Sequence, residues 1–439
     1  MRSRTTFLLL ILIAGLNSAS LARGPGVRMT AIVNVNVIPM DSEILLRNRT
    51  VLIEGEKIIA IGPTAAFSIP KSAKIIDGKD KFLIPGLIDM HVHFEEKHLP
   101  LYLANGVTTI RNLNGDSTHL EIRKKLDQGK LDGPRVYTAG PLITVPETRW
   151  KIKAVPASAD DARKIVRSQK AAGYDFIKVY DGLSKDVYDA ILAEAKVQDI
   201  RVVGHIPTSV GLKGAAEKGQ SSIDHAEQIV YSHIGFPLDE KKIQGAVSII
   251  SQAKIWVCPT LAVQEIFKLN RQAKFAGMLD NPEMKFVDPD IMDWWKSFAK
   301  ESASDHQKEN SLDFYDFQVK LTRALFESGV PILAGTDAPN PGMVHGFALH
   351  EELRNLVNAG LSPYEALKTA TVNGALFLGA EKRFGTIKAG MIADLALLDG
   401  NPLENIAATK NISGVMSRGK WHSKSELRSL LTKFDKDQD

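Results

Sequence analysis

The stretch Phe82-Leu83-Ile84-Pro85-Gly86-Leu87-Ile88-Asp89-Met90-His91-Val92-His93 is apolar almost throughout, breaks once at Pro85-Gly86, and ends on two histidines separated by one residue. Side chains alternate between the faces of a strand, so His91 and His93 point the same way. A segment that hides Leu87, Ile88 and Met90 and then presents two imidazoles reads as a barrel strand ending at a site. The pattern recurs downstream. Short apolar runs at 108–113, 135–139, 176–180, 201–205, 222–225, 256–259 and 332–337 are separated by amphipathic helical stretches. Strands alternating with helices in this way predict an α/β fold, a closed (β/α)8 TIM barrel over 85–384. Its last helix has a clear start in Ser362-Pro363-Tyr364-Glu365, a capping box with proline at the first helical position.

Upstream, Val33, Val35 and Val37 alternate with Asn34 and Asn36, and Glu54-Gly55-Glu56 reads as the turn of a hairpin between 51–53 and 57–61. Downstream, 385–399 and 415–421 read as strands again. Together they predict a small β-sandwich domain built from both chain ends, 23–84 plus 385–425, followed by a polar tail at 426–439. Between Thr260 and Ile332 lie about 70 residues, more than a plain loop and helix require. Segment 261–331 is therefore a helical insertion carrying Trp294 and Trp295, placed either as a lid or pocket wall or as an external decoration. At the other end, Arg2 and Arg4, the apolar run from Phe7 to Leu16 and the small-x-small site Ser20-Leu21-Ala22 have the layout of a secretory signal peptide over 1–22. The run is too short to span a bilayer, so the expectation is a periplasmic or secreted protein with no membrane anchor after cleavage.

The 439 residues are 44% hydrophobic and 24% charged with a net charge of +4, which excludes a disordered or multi-span chain. With no basic block, nucleic-acid binding has no electrostatic support. The single Cys258 excludes an intrachain disulfide and a cysteine-built metal site. There is no Gly-x-Ser-x-Gly elbow and no phosphate-binding glycine loop, and His350-Glu351 is not a zincin motif because Arg354 stands where the second histidine belongs. A homo-oligomer is compatible with the sequence.

The chemistry gathers at the predicted strand ends: His91 and His93, Lys178 inside the apolar run 176–180, His205, His225 and Asp337. Packing alone gives no reason to bring four histidines, a lysine and an aspartate to one rim. An ammonium among Phe176, Ile177 and Val179 is costly and its pKa should fall. A neutral lysine amine can take up carbon dioxide as a carbamate, whose two oxygens could bridge two cations; the alternative is a lysine paired with a nearby carboxylate. Tyr231, six residues past His225, is a candidate donor to a tetrahedral oxyanion, or else a rim aromatic. Arg149 and Trp150 are candidates for binding a substrate carboxylate and an apolar group. His345 and His350 are candidates for orienting a ligand or touching substrate, against a helix-packing alternative.

With Gly106-Val107-Thr108-Thr109, Ala334-Gly335-Thr336-Asp337 and Gly390-Met391-Ile392-Ala393-Asp394-Leu395, the opening stretch resembles the amidohydrolase superfamily of metal-dependent hydrolases, from about Met29 to about Trp421. Within it the chain is similar to the imidazolonepropionase-like and prolidase-like branch. Lys178 resembles the carboxylated lysine that bridges the ions of the two-metal subtype; imidazolonepropionase and the deaminases lack such a lysine. The resemblance implies two divalent ions, zinc before manganese or iron. One would be held by His91, His93, Lys178 and Asp337, the other by Lys178, His205 and His225. It further implies a metal-bridging hydroxide, with Asp337 shuttling its proton to the leaving amine of a small amide, a dipeptide or N-acyl amino acid. Ester, lactone or phosphotriester hydrolysis by the same metals is the alternative. A third reading, a non-catalytic binding protein on this fold, fits poorly with six intact ligand positions.

Overall fold

The computed structural model describes residues 28–272, 274–301 and 309–436; segment 1–22, expected from the sequence to be a signal peptide, lies outside them. Five strands open the described chain: β1 (Met29–Val37), β2 (Leu46–Glu54), β3 (Lys57–Pro63), β4 (Lys74–Asp77) and β5 (Phe82–Pro85). Beyond Gly86 come β6 (Leu87–Val92), β7 (Val107–Asn112), β8 (Arg135–Thr138), the short β9 (Leu142–Ile143) and β10 (Lys153–Ala154), β11 (Phe176–Val179), β12 (Arg201–Gly204), β13 (Ser222–Asp224) and β14 (Trp256–Cys258). β15 (Leu395–Leu398), β16 (Ile412–Ser417) and β17 (Lys420–Ser423) follow.

β6, β7 and β8 pair in parallel, and a parallel bridge from Ala139 to Phe176 carries the pairing to β11. β11 to β14 continue it in order. Val257 then bridges Ile332, and Ala338 bridges Val92, so the chain between Ile332 and Ala338 returns the ring to β6. Eight parallel segments therefore close on one another. Seven strands end within one residue of their sequence-based limits. The eighth is irregular rather than a ladder, because it turns sharply at Asp337 (φ +55°) and packs tightly on β6. A Cβ on Gly335 would lie 2.5 Å from Cys258 Sγ and 2.8 Å from His91 Cβ, so only glycine allows this approach.

The strands from both chain ends share one eight-stranded sheet of order β17-β16-β15-β5-β1-β2-β3, with β4 also on β1. They are hydrogen-bonded along one path instead of being divided between two sheets. Register shifts within β1 let it serve β2, β4 and β5 at different points. Ile32, Val35, Val51, Ile53, Leu395 and Leu397 form the core on one side of this sheet. Asp394 ties it to the barrel: its carboxylate accepts from Arg135 Nε at 2.7 Å and from the Arg418 amide at 2.7 Å.

The insertion after β14 contains helices Leu261–Arg271, Phe275–Met278 and Pro289–Glu301 and leads into the long helix Glu309–Glu327. Trp295 is fully buried and donates to the Pro339 carbonyl at 3.1 Å. The insertion thus packs over the loop that follows Asp337, at the mouth end of the barrel. Residues 424–436, most of the expected polar tail, form a helix instead. Leu427, Leu430 and Leu431, three and four residues apart, give it the apolar stripe that docks it.

One buried carboxyl makes stability depend on pH. Glu352 is fully buried and accepts from the Ala262 amide at 2.8 Å, while its other oxygen has no partner among the described residues. Burial, outweighing the Ala262 and Leu261 amides, raises it from 4.5 to about 8. The folded state holds a proton that the unfolded chain releases, so stability falls as pH climbs from 4.5, the loss being complete just above 8. Glu352→Gln should remove Glu352's share of this slope, leaving that of the similarly raised Asp89 and Glu227, and raise Tm at pH 9 relative to the parent, at about 1.4 kcal/mol per pKa unit relieved. Parallel Tm–pH curves for the two proteins would refute the assignment.

Candidate metal centre

Each of the six residues reaches the barrel mouth from a strand end. β6 delivers His91 and, one residue past its end, His93; their Nε2 atoms lie 3.2 and 3.1 Å from Asp337 Oδ1. Asp337 is drawn in by its own amide, which donates to the His91 carbonyl at 2.7 Å. The turn before it is clamped by Asp89, which accepts from the Thr336 amide at 3.1 Å and its hydroxyl at 2.8 Å. Asn340 Nδ2 donates to Asp337 Oδ2 at 2.6 Å. His225 follows β13 and places Nε2 3.7 Å from the same oxygen. His225, Thr260 and Asp337 all have left-handed backbones (φ +75°, +51° and +55°), a strain concentrated in one site. Thr260 Oγ1 holds His225 Nδ1 at 2.8 Å, and Asp181 holds His205 Nδ1 at 3.1 Å.

Lys178, on β11, is buried with Nζ 3.0 Å from Asp224 Oδ2; Arg111 Nη2 holds the other oxygen at 2.9 Å. In this state the lysine therefore takes the carboxylate-paired alternative. Gly204 leaves room for it, since a Cβ there would fall 2.8 Å from Lys178 Cδ. His91, His93, Lys178, His205, His225 and Asp337 line one chamber of about 120 Å³, with Trp150, Tyr180, Glu227, Gln264 and Asn340 among its other walls.

Burial lowers His91 to about 4, with Asp337 resisting, and lowers His205 and, more strongly, His225. Burial works against ionised Asp337, but His91 and His225 outweigh it and hold the carboxyl well below its usual range. At neutral pH the chamber thus presents neutral His91, His205 and His225 beside ionised Asp337. Ligand atoms of His91, His225 and Asp337 lie within 4.8 Å of one another, and the Nδ1 atoms of His91 and His93 are buried without hydrogen-bond partners among the described residues. This donor set fits a divalent cation. A second grouping, His91, Asp224 and Cys258, is less suited, because Arg111 and Lys178 already occupy Asp224.

Among the other candidates, Arg149 and Trp150 do line the chamber, Trp150 with its ring 5.0 Å from His93. Tyr231 is not brought in: it is 47% exposed and packs on Phe236 and Phe314 at the rim. His345 lies behind the site, donating to the His93 carbonyl at 2.8 Å and stacking on His98 at 3.8 Å, so it supports main chain and does not face substrate. His350 points inward from its helix to Thr409 Oγ1 at 3.0 Å, a packing role. Sequence reading missed Asp224, Arg111, Asp181 and Thr260. Arg111, a second cation inside an apolar strand, was the available signal.

The sequence model of the amidohydrolase family matches residues 82–422. The chain belongs to this family. As an amidohydrolase it is a metal-dependent hydrolase acting on carbon–nitrogen bonds. It is 25% identical to an ochratoxinase of Aspergillus niger, over 84% of this chain and 81% of that enzyme. Two solved structures share its fold. A bottromycin amidohydrolase gives a TM-score of 0.76 at 23% identity, covering 94% of this chain and 91% of the other. A Xaa-Pro dipeptidase with methionine bound in its active site gives 0.70 at 23% identity, covering 90% and 100%. Both likenesses agree with a TIM barrel in this amidohydrolase.

Proposed function

We propose that this amidohydrolase cleaves a small amide, a dipeptide or an N-acyl amino acid, with two divalent ions in the chamber. The observation that carries the reading is the convergence of His91, His93, Lys178, His205, His225 and Asp337 on one buried chamber, with His91, His205 and His225 neutral and Asp337 ionised. His91, His93 and Asp337 would hold one ion, His205 and His225 the other, with carboxylated Lys178 shared between them. When bound, the ions, zinc by this nitrogen and oxygen donor set, supply water activation and carbonyl polarisation. To become a ligand, the Lys178 ammonium first gives up a proton and leaves Asp224, which keeps Arg111 as its counter-charge. The free amine then adds carbon dioxide, forming an N–C bond and releasing a second proton.

Asp337 acts as the proton carrier. Its carboxylate is ionised and tethered by Asn340, so it can accept a proton from the attacking water and deliver it to the departing nitrogen. An amide needs that delivery because nitrogen leaves poorly as an anion. Arg149, at the edge of the chamber, would face the carboxylate of the leaving amino acid.

A hydrolysis screen of the metal-loaded protein tests the reading. Dipeptides and N-acyl amino acids should turn over, and amidating the substrate carboxylate should lower kcat/KM sharply. Turnover confined to lactones, esters or phosphotriesters would replace this reading with the alternative.

A further inference from the structure

Beside the chamber lies a groove of about 720 Å³, and His93, Arg149, Trp150 and Asn340 line both spaces, which makes them continuous. The chamber, at about 120 Å³, has room for the reacting amide and little more. The groove is of a size that accepts a much larger group. Its walls are mainly apolar: Phe94, Trp150, Ile152, Ile291, Trp294 and Pro339. Trp294 comes from the insertion after β14 and is 38% exposed, an uncovered indole beside an active site. The Arg149 guanidinium stands 5.6 Å from the Trp150 ring and 5.7 Å from that of Trp294. Neither Arg149 nor Lys151, the groove's other cation, forms an ion pair among the described residues, and the groove's acid, Glu95, sits 3.4 Å from Lys97.

We infer that the groove receives the side chain of the leaving amino acid, and that this side chain is a large aromatic one. The inference rests on the amide-hydrolase reading. In such a substrate the carboxylate and the side chain share one carbon, next to the scissile nitrogen. A carboxylate facing Arg149 at the junction directs the side chain into the groove, and leaves the acyl half to the part of the chamber that the groove does not share, where Glu227 and Gln264 lie. A proline ring or a methyl group would leave the exposed part of Trp294 wet. A fused two-ring side chain can lie against Trp150 and Trp294 together.

The test is calorimetric binding of free amino acids, which needs no turnover, alongside dipeptide kinetics. L-2-naphthylalanine should bind at least about tenfold tighter than L-proline or glycine, and its carboxamide should bind weakly. Trp294→Ala and Arg149→Ala should each weaken the naphthylalanine complex about tenfold, with Trp294→Phe restoring much of the loss. The ratio of kcat/KM for Ala-naphthylalanine over Ala-Pro should collapse in Trp294→Ala. Proline binding as tightly as naphthylalanine, or indifference to Trp294→Ala, would overturn the inference. Cleavage of Ala-Pro in preference to Ala-naphthylalanine would overturn it while leaving the amidase reading intact. Tight, Trp294-dependent binding without cleavage of any dipeptide would uphold the groove and remove the amidase reading.

Discussion

Asp337→Asn should slow amide hydrolysis by about 10²- to 10⁴-fold, the range expected when a positioned proton carrier is removed. The substitution keeps shape and loses charge. An asparagine places an NH2 group where Asp337 now accepts from Asn340 or faces the rings of His91 and His93, so the site loses both its base and its anionic ligand. Metal content must be measured on the same samples, since weaker binding would contribute. Substrate dependence separates the two effects. An ester with a good leaving group departs without a proton, so it should lose much less than an amide once the metal is restored by saturation. Equal losses on both substrates in fully loaded protein would show that Asp337 acts only as a ligand.

Lys178→Ala should fold, bind about one ion where the parent binds two, and lose most activity. Folding is expected because Asp224 keeps its contact with Arg111 at 2.9 Å, so no buried charge is left alone. Added bicarbonate should speed metal loading of the parent, because the carbamate must form before Lys178 can share two ions, and should do nothing for the variant. A variant that keeps two ions and full turnover would refute the bridging role.

What could be read in advance was what rests on local pattern. The apolar runs located seven barrel strands, and the period of two in His91-Val92-His93 put both rings on one face. Lys178 stood out because an ammonium in an apolar strand demands a reason. Long-range register was not legible. Whether Lys178 meets a carboxylate depends on β7, β11 and β13 bringing Arg111, Lys178 and Asp224 together, and nothing local to any of the three states that. The same limit hid the pairing of β1 with β2, β4 and β5, which joins both chain ends in one sheet. For His350 and Tyr231 the structure takes the packing alternatives: the helix of His350 turns that face toward Thr409, and the helical turn Val230–Ile234 carries the Tyr231 ring outward onto Phe314. The final helix was readable in principle from Leu427, Leu430 and Leu431, but the charges around them masked the stripe.

The most direct measurement is a crystal structure of protein loaded with zinc in the presence of bicarbonate, with anomalous data collected at the metal edge. Two peaks are expected in the chamber among His91, His93, His205, His225 and Asp337, with density for a carboxyl group extending Lys178 Nζ between them and away from Asp224. A single peak at His91, His225 and Asp337, with Lys178 Nζ still 3.0 Å from Asp224, would contradict the two-metal site.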